Sequence, residues 1–290
     1  MARTCGTMSV HYRLLETDPS YRIALGNLEH ASEARRRQVN AVRATPYKIN
    51  VVVHVVWNTA TENISDAQVQ SQIDALNRDY RRTNKDVSSI PAPWQGLAAD
   101  SNIEFALNTI NRVKTTKLSF GDDNSVKSTA SGGSDVVSPT KFLNLWVCNL
   151  GGGLLGYAQF PTAGPAATDG VVILNTAFGT LETATAPGNP YNLGRTATHE
   201  VGHYLNLHHI WGDTSDCTGT DFVDDTPNAQ HPNFGKPVFP HISCQNGPLG
   251  DMFMDYMDYV DDAAMVLFTA GQVSRMHATL DGPRASLVTP

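Results

Sequence analysis

What this 290-residue chain lacks narrows its role before any motif is read. No apolar run approaches the roughly 18–20 residues that cross a bilayer as a helix, so no membrane span is expected. Residues 1–10 show no basic stretch followed by an apolar one, so no signal peptide is visible; export by another route, or a trimmed chain, are the two expectations left. Basic residues are outnumbered, 21 Lys and Arg against 28 Asp and Glu, and a net charge of −7 argues against nucleic acid as a partner. Four cysteines (Cys5, Cys148, Cys217, Cys244) are too few for a disulfide framework, although Cys217 and Cys244 lie in the same loop-rich stretch and could bridge. There is no internal repeat. No glutamate follows Glu200.

What is present is ordinary in total and uneven in distribution. With 41% hydrophobic and 17% charged residues the chain can bury a large core, as one two-lobed domain or two small ones. Arg22, Arg35, Arg36, Arg37 and Arg43 crowd the first 45 residues. Ten aspartates and a single Lys or Arg, Lys236, fall between Asp213 and Asp262. Residues 1–46 read as an appendage, with a helix of thin apolar stripe over Tyr21–Val42. A β-branched strand then begins at Lys48 and runs to Trp57. A helix capped by Ser65 is expected to about Asn84, with Val69, Ile73, Leu76 and Tyr80 on its apolar face. Strands follow at 103–110, at 143–150 with Cys148 inside, at Leu154–Phe160 as an edge, and at 171–174. This alternation predicts an α/β lobe with a mixed sheet up to about residue 190. A second helix begins near Gly194, regular signal fades after Asn206, and a closing helix returns over 269–280.

Chemistry concentrates in His199-Glu-Val-Gly-His203-Tyr-Leu-Asn-Leu-His-His209. Helical residues four apart share a face, so His199 and His203 can offer nitrogens to one ion. Glu200 is turned off that axis, as suits a base acting on water rather than a ligand. A catalytic zinc takes three protein ligands and keeps one open position. His209 can supply the third only if the helix breaks, because a continuing helix would carry it about 600° round and about 9 Å along. Asn206 stands where the break is needed, and Asn tolerates the left-handed conformation. His208 and a downstream aspartate are the competing third ligands. The missing glutamate excludes the zinc geometry that uses one. Short-spaced Asp among Gly and Thr also suits calcium.

The run from His199 to His209 resembles the extended metzincin signature, with Asn206 where glycine is usual. Phe253-Met-Asp-Tyr-Met257-Asp-Tyr259 resembles the Met-turn of the pappalysins, in the ulilysin-like microbial branch. Arg3-Thr-Cys5-Gly-Thr7, the stretch from Leu143 to Leu150 running on to Tyr157–Pro161, and Asp224-Asp-Thr-Pro227 are similar to the same branch. The resemblance implies a zincin/metzincin fold, α/β in its upper lobe (about 47–206). That lobe holds a twisted mixed sheet and two long helices. An irregular lower lobe (about 207–290) carries the Met-turn and the C-terminal helix, with the cleft between. It implies a zinc-dependent endopeptidase binding extended peptides along the edge strand, secreted or extracellular. Glu200 and Tyr259 would be catalytic, and Met257 would lie beneath the metal. Residues 1–46 would be a latency segment, Cys5 closing zinc's open position and Arg35–Arg43 offering the activating cleavage. Cys217–Cys244 matches a family disulfide; Lys236 and Ala264 stand where a second would be. Calcium is implied near Asp221, Asp224, Asp225 and Thr226, with Asp216 a further candidate. A zinc hydrolase of a non-protein amide and a non-catalytic zinc module are the rival readings.

Overall fold

The computed structural model describes residues 2–37, 45–161 and 164–289, with no account of the side chains at 35–37. The β-branched run expected at the start of the core forms β1 (Tyr47–Trp57), an inner strand of a six-stranded sheet. β1 pairs in parallel with β2 (Ile103–Lys114) on one side and β3 (Leu143–Cys148) on the other. Beyond β3 lies β5 (Val171–Leu174), parallel to it, and then β4 (Gly156–Ala158), the antiparallel edge. The two-residue β6 (Val288–Thr289) pairs with the start of β1.

Alternation along β1 decides which face meets what. Ile49, Val51, Val53 and Val55 point into the main core with residues of α3 (Asp66–Tyr80) and α4 (Arg195–Tyr204). Val56 points the other way, into a second cluster with Trp146, Cys148, Tyr157 and Val172, covered by Val10 of α1 (Thr7–Thr17). The Ser65 hydroxyl caps α3 by accepting from Gln68 N at 3.0 Å. α5 (Ala270–Leu280) opens on a capping box between Thr269 and Gln272 and packs against α2 (Pro19–Arg37).

Three expectations need correction. The edge strand is paired over Gly156–Ala158 alone, because its partner β5 is only four residues long. β2 runs four residues past Ile110, following β1 to Trp57 through a register slip at Val51/Val52. The N-terminal segment is no appendage: Arg3, Val10, Tyr21 and Leu28 are all buried. Its first helix, α1, has too few apolar positions to be read from periodicity. The proposed cleavage stretch Arg35–Arg43 lies outside the described side chains. No helix among the described residues is long and apolar enough to cross a membrane.

Candidate metal centre and active site

α4 is just under three turns long, and its C-terminal turn decides the site. The Leu205 N–H still bonds back to Val201, but Asn206 takes φ 73° and turns the chain out of the helix. The chain then folds back so that His209 Nε2 lies 3.1 Å from His203 Nε2, which lies 3.2 Å from His199 Nε2. His208 points away, its ring stacked on Phe160 at 4.8 Å between centroids. Cys5 Sγ completes a group whose ligand atoms all fall within 4.8 Å of one another.

The protonation of these rings follows from their outer nitrogens. His199 Nδ1 is 2.7 Å from Tyr256 O, and His203 Nδ1 is 2.7 Å from Leu207 O. A carbonyl oxygen has no proton to give, so each Nδ1 is the donor. His209 Nδ1 meets Asp213 Oδ1 at 2.6 Å. Burial, then the neighbouring His209, hold His199 and His203 well below the usual imidazole range, so both rings are neutral. Their inner nitrogens therefore carry lone pairs that face each other with no donor between them. A cation between them, with His209 as a third ligand, would satisfy both lone pairs. Zinc–nitrogen bonds of roughly 2.0–2.1 Å in a tetrahedron place ligand nitrogens ~3.3 Å apart, close to the spacing found here.

Glu200 lies beside this trio, fully buried, with its Oε2 accepting from Thr7 Oγ1 at 2.9 Å and from Cys5 Sγ at 3.3 Å. Burial pushes its carboxyl up to about 7, against the pull of those two donors. Two glycines make the approach possible. A Cβ on Gly156 would sit 2.8 Å from Glu200 Cγ, and one on Gly202 would sit 2.5 Å from Met257 Sδ. Met257 therefore lies directly beneath α4. The Tyr259 ring stands 5.0 Å from His209 and 5.7 Å from His199, and burial, with Cys5 and Glu200 nearby, pushes its phenol well above the usual range.

The N-terminal segment fills the cleft as an extra strand. Gly6 N donates to Gly156 O and Leu155 N to Thr4 O, both at 2.9 Å, and Thr7 Oγ1 accepts from Ala158 N at 2.8 Å. The pairing runs parallel to β4. Two residues before Cys5, the Arg3 side chain enters a closed pocket. It donates to Asp262 Oδ1 at 2.6 Å, Thr196 Oγ1 at 3.1 Å and Val260 O at 3.1 Å, with its guanidinium 4.9 Å from the Tyr191 ring centre.

Arg3 and Thr7 were noted only as part of the stretch around Cys5, without roles, and Asp213, Gly156, Gly202 and Asp262 were given none. Asp213 left a local signal, a carboxylate four residues past a candidate ligand. Of the candidate calcium residues, Asp221 and Thr226 meet at 2.6 Å. Among the described residues no three carboxylates there share a metal-sized space. Asp225 accepts from Thr269 Oγ1 and Gly271 N at the start of α5, Asp221 accepts from Thr226 Oγ1 and Val223 N, and Asp216 serves its own turn. Cys217 and Cys244 form a disulfide.

Three histidines, a buried glutamate one residue past the first, and a Met-containing turn beneath them define a metallopeptidase of metzincin build. Comparison with known proteins carries the assignment further. The family model Peptidase M43, described as pregnancy-associated plasma protein-A, matches residues 131–281. An extracellular metalloprotease of Arthroderma otae is 33% identical over 79% of this chain and 76% of its own length. One from Pyricularia oryzae is 31% identical over 94% of this chain and 86% of its own. Among solved structures, a mutant of Tannerella forsythia promirolysin is 43% identical, covering 99% of this chain and 97% of its own, with a TM-score of 0.89. Mature T. forsythia mirolysin in complex with a cleaved peptide is 46% identical, with a TM-score of 0.81, and covers 85% of this chain and 97% of its own. The chain belongs to the pappalysin family of metalloproteases.

Proposed function

We propose that this metalloendopeptidase is made latent, with zinc held by His199, His203 and His209 and residues 1–46 blocking the cleft of a catalytic unit spanning 47–290. The observation that carries the reading is the convergence of three imidazole rings and the Cys5 thiol, whose ligand atoms fall within 4.8 Å of one another, beside Glu200. The difference in coverage between the pro and mature mirolysin structures, 99% against 85% of this chain, supports a boundary near residue 46.

Zinc in this site supplies Lewis acidity, polarising a scissile carbonyl and lowering the pKa of a water. The chain's own residues do the rest. β4 presents the backbone groups of Gly156 and Ala158, on which an extended substrate would replace residues 4–7 by strand addition. Glu200 takes a proton from the attacking water at one oxygen and passes it to the leaving amine. The Tyr259 ring, beside His199 and His209, places its hydroxyl to donate to the developing oxyanion. Latency has three components: Cys5 occupies the position a water needs, Cys5 and Thr7 occupy Glu200, and Thr4–Thr7 occupy the edge strand.

The Arg3 pocket supports a preference for arginine next to the scissile bond. Asp262 Oδ2 already accepts from Leu193 N and Arg195 N, so the carboxylate is fixed before any substrate arrives. A substrate guanidinium would replace that of Arg3, donor for donor. Secretion is supported by the extracellular relatives and by the Cys217–Cys244 bridge, which suits an oxidising compartment. The resemblance also implies calcium at loop 221–226; its support here is Asp221, a buried carboxyl that burial pushes up to about 7.

Casein digestion by the full chain, by Cys5→Ser, and by each with a zinc chelator tests the whole reading. The full chain is expected to show little turnover until residues 1–46 are cut, and Cys5→Ser is expected to be at least tenfold more active uncut. Activity indifferent to the chelator would remove the metal from the mechanism, and an uncut Cys5→Ser as silent as its parent would remove the thiol from latency.

A further inference from the structure

α2 makes a contact with the catalytic half that zinc latency does not require. Arg275, from α5, is 4% exposed and donates through Nη1 and Nη2 to the two oxygens of Glu29 at 2.9 and 2.8 Å. Its Nε donates to Asn206 O at 3.1 Å, which fixes the guanidinium against the very residue that breaks α4. Asn206 Nδ2 donates to Glu29 Oε1 at 3.3 Å. His208 Nε2 lies 4.0 Å from the same oxygen, buried and without a hydrogen-bond partner among the described residues. The Phe222 ring covers the guanidinium at 5.4 Å. Glu29 thus sits in a pocket built of a guanidinium fork, an amide and an imidazole.

This pocket would outlast its occupant. Arg275 and Asn206 hold each other through a bond that does not involve Glu29, so the fork stays aimed when the carboxylate leaves. Loss of α2 opens the guanidinium to solvent with its fork still aimed, ready to take another carboxylate. The pocket is also close to the substrate path. His208 stacks on Phe160, and Phe160 meets His203 edge-on at 5.5 Å. Phe160 stands two residues past the end of β4. Asp262 bonds Leu193 N and Arg195 N at the start of α4, whereas Arg275 bonds Asn206 O past its end, so the two pockets lie at opposite ends of the helix that carries His199 and His203.

We propose that Arg275, Asn206 and His208 form a carboxylate-binding subsite of the matured protease. Glu29 fills it in the latent chain, and an acidic side chain of the protein substrate fills it afterwards, on the side of the scissile bond away from the Asp262 pocket. This rests on the latency reading above. The planar fork selects carboxylate over amide and repels lysine, so the subsite discriminates by charge and geometry together.

The test uses the full chain matured by limited proteolysis, with its new N-terminus sequenced, and internally quenched peptides carrying one arginine. Glu, Gln or Lys is walked through the positions across the scissile bond from that arginine. At one position Glu is expected to exceed Gln by about tenfold in kcat/KM, the effect of a charged over a neutral hydrogen bond, with Lys lowest. The Glu-to-Gln ratio should shrink as salt rises. In Arg275→Gln the ratio is expected to fall to about one, while preference for the arginine persists. Both are ratios within one enzyme, so a partly folded variant still reports them; should Arg275→Gln not fold, the salt dependence of the wild-type ratio decides. A ratio near one at every position in the wild type, or one that survives Arg275→Gln, overturns the subsite while ordinary turnover leaves the protease reading standing. A matured chain that cuts no peptide, or active enzyme that keeps residues 1–46, takes down that reading and this inference with it.

Discussion

The two halves of the cleft are held by different means. On one side, β1, β3 and β5 with α3 and α4 are fixed by repeating backbone bonds, and the residues between 47 and 204 find their places by period. On the other, from Leu205 to Phe268, no helix longer than a turn and no paired strand of the main sheet occurs among the described residues. There, buried aspartates do what a ladder does elsewhere. Asp255 accepts from Met257 N at 2.7 Å and Gln272 Nε2 at 2.9 Å. Asp258 accepts from Asn233 N and Tyr259 N at 2.8 and 2.7 Å, and Asp262 from Leu193 N and Arg195 N at 2.8 and 3.2 Å. All three are fully buried. The acidic stretch, whose spacing in the sequence suits calcium, puts five of its ten aspartates (Asp221, Asp251, Asp255, Asp258 and Asp262) inside as hydrogen-bond acceptors. Order in an irregular region therefore depends on single side chains, and single substitutions should expose that.

The largest contrast is expected at Glu200, which belongs to the periodic half. Glu200→Ala removes a proton carrier and leaves α4 intact, so peptide turnover in the matured enzyme is expected to fall at least 10³-fold, with zinc content and melting temperature near wild type. Zinc content by atomic absorption beside kcat checks it; substantial residual turnover would sink the assignment of Glu200 as base. Next comes Asp262, where the two halves meet. Asp262→Asn keeps the shape and loses the charge, so kcat/KM for peptides with arginine beside the scissile bond is expected to drop about 100-fold. Peptides with an uncharged residue there should lose much less. Equal losses for both would mean that Asp262 only shapes the loop.

The same contrast explains what could be read in advance. His199, Glu200 and His203 were legible because a helix converts spacing into direction. His209 was legible only as a requirement, and Asn206 at φ 73° supplied the means. Arg3, Thr7 and Asp262 were not legible as partners. Their contacts join residues some 190 to 260 positions apart, and nothing periodic connects them. Gly156 and Gly202 were hidden for another reason, since each is needed for the space its missing Cβ leaves beside Glu200 or Met257. The sheet was foreseen in outline because β-branched runs mark buried strands. The limits of β4 were not, because a strand's length is set by its neighbour.

Asp255 tests the aspartate scaffold itself. Its carboxyl, pushed well above the usual range by burial, bonds the turn that carries Met257 to the capping residue of α5. Asp255→Ala strands a buried N–H and a buried amide, for about 3 kcal/mol of lost stability. Chemical denaturation reads that loss. Zinc affinity should weaken too, because Met257 underlies the ligands. A variant as stable as wild type would mean that the loop half is held chiefly by its apolar core.

The smallest effect is expected at Asp221, where scaffold and calcium readings diverge. Its carboxyl is raised from 3.8 to about 7 by burial, against bonds from Thr226 and Val223. A group that binds its proton more tightly folded than unfolded stabilises fully below the unfolded pKa and loses that contribution as pH rises through the folded one. Between pH 5.5 and 7 wild type should therefore lose about 2 kcal/mol relative to Asp221→Asn, a difference that cancels the titration of the zinc histidines. Calcium bound at Asp221 would take the place of the proton as counter-charge, and the slope between the two proteins should flatten in calcium chloride. Thermal melts of both proteins across that range, with and without calcium, separate the cases. A slope that calcium leaves untouched assigns Asp221 to the scaffold, alongside Asp225 at the start of α5, and removes the metal from this loop.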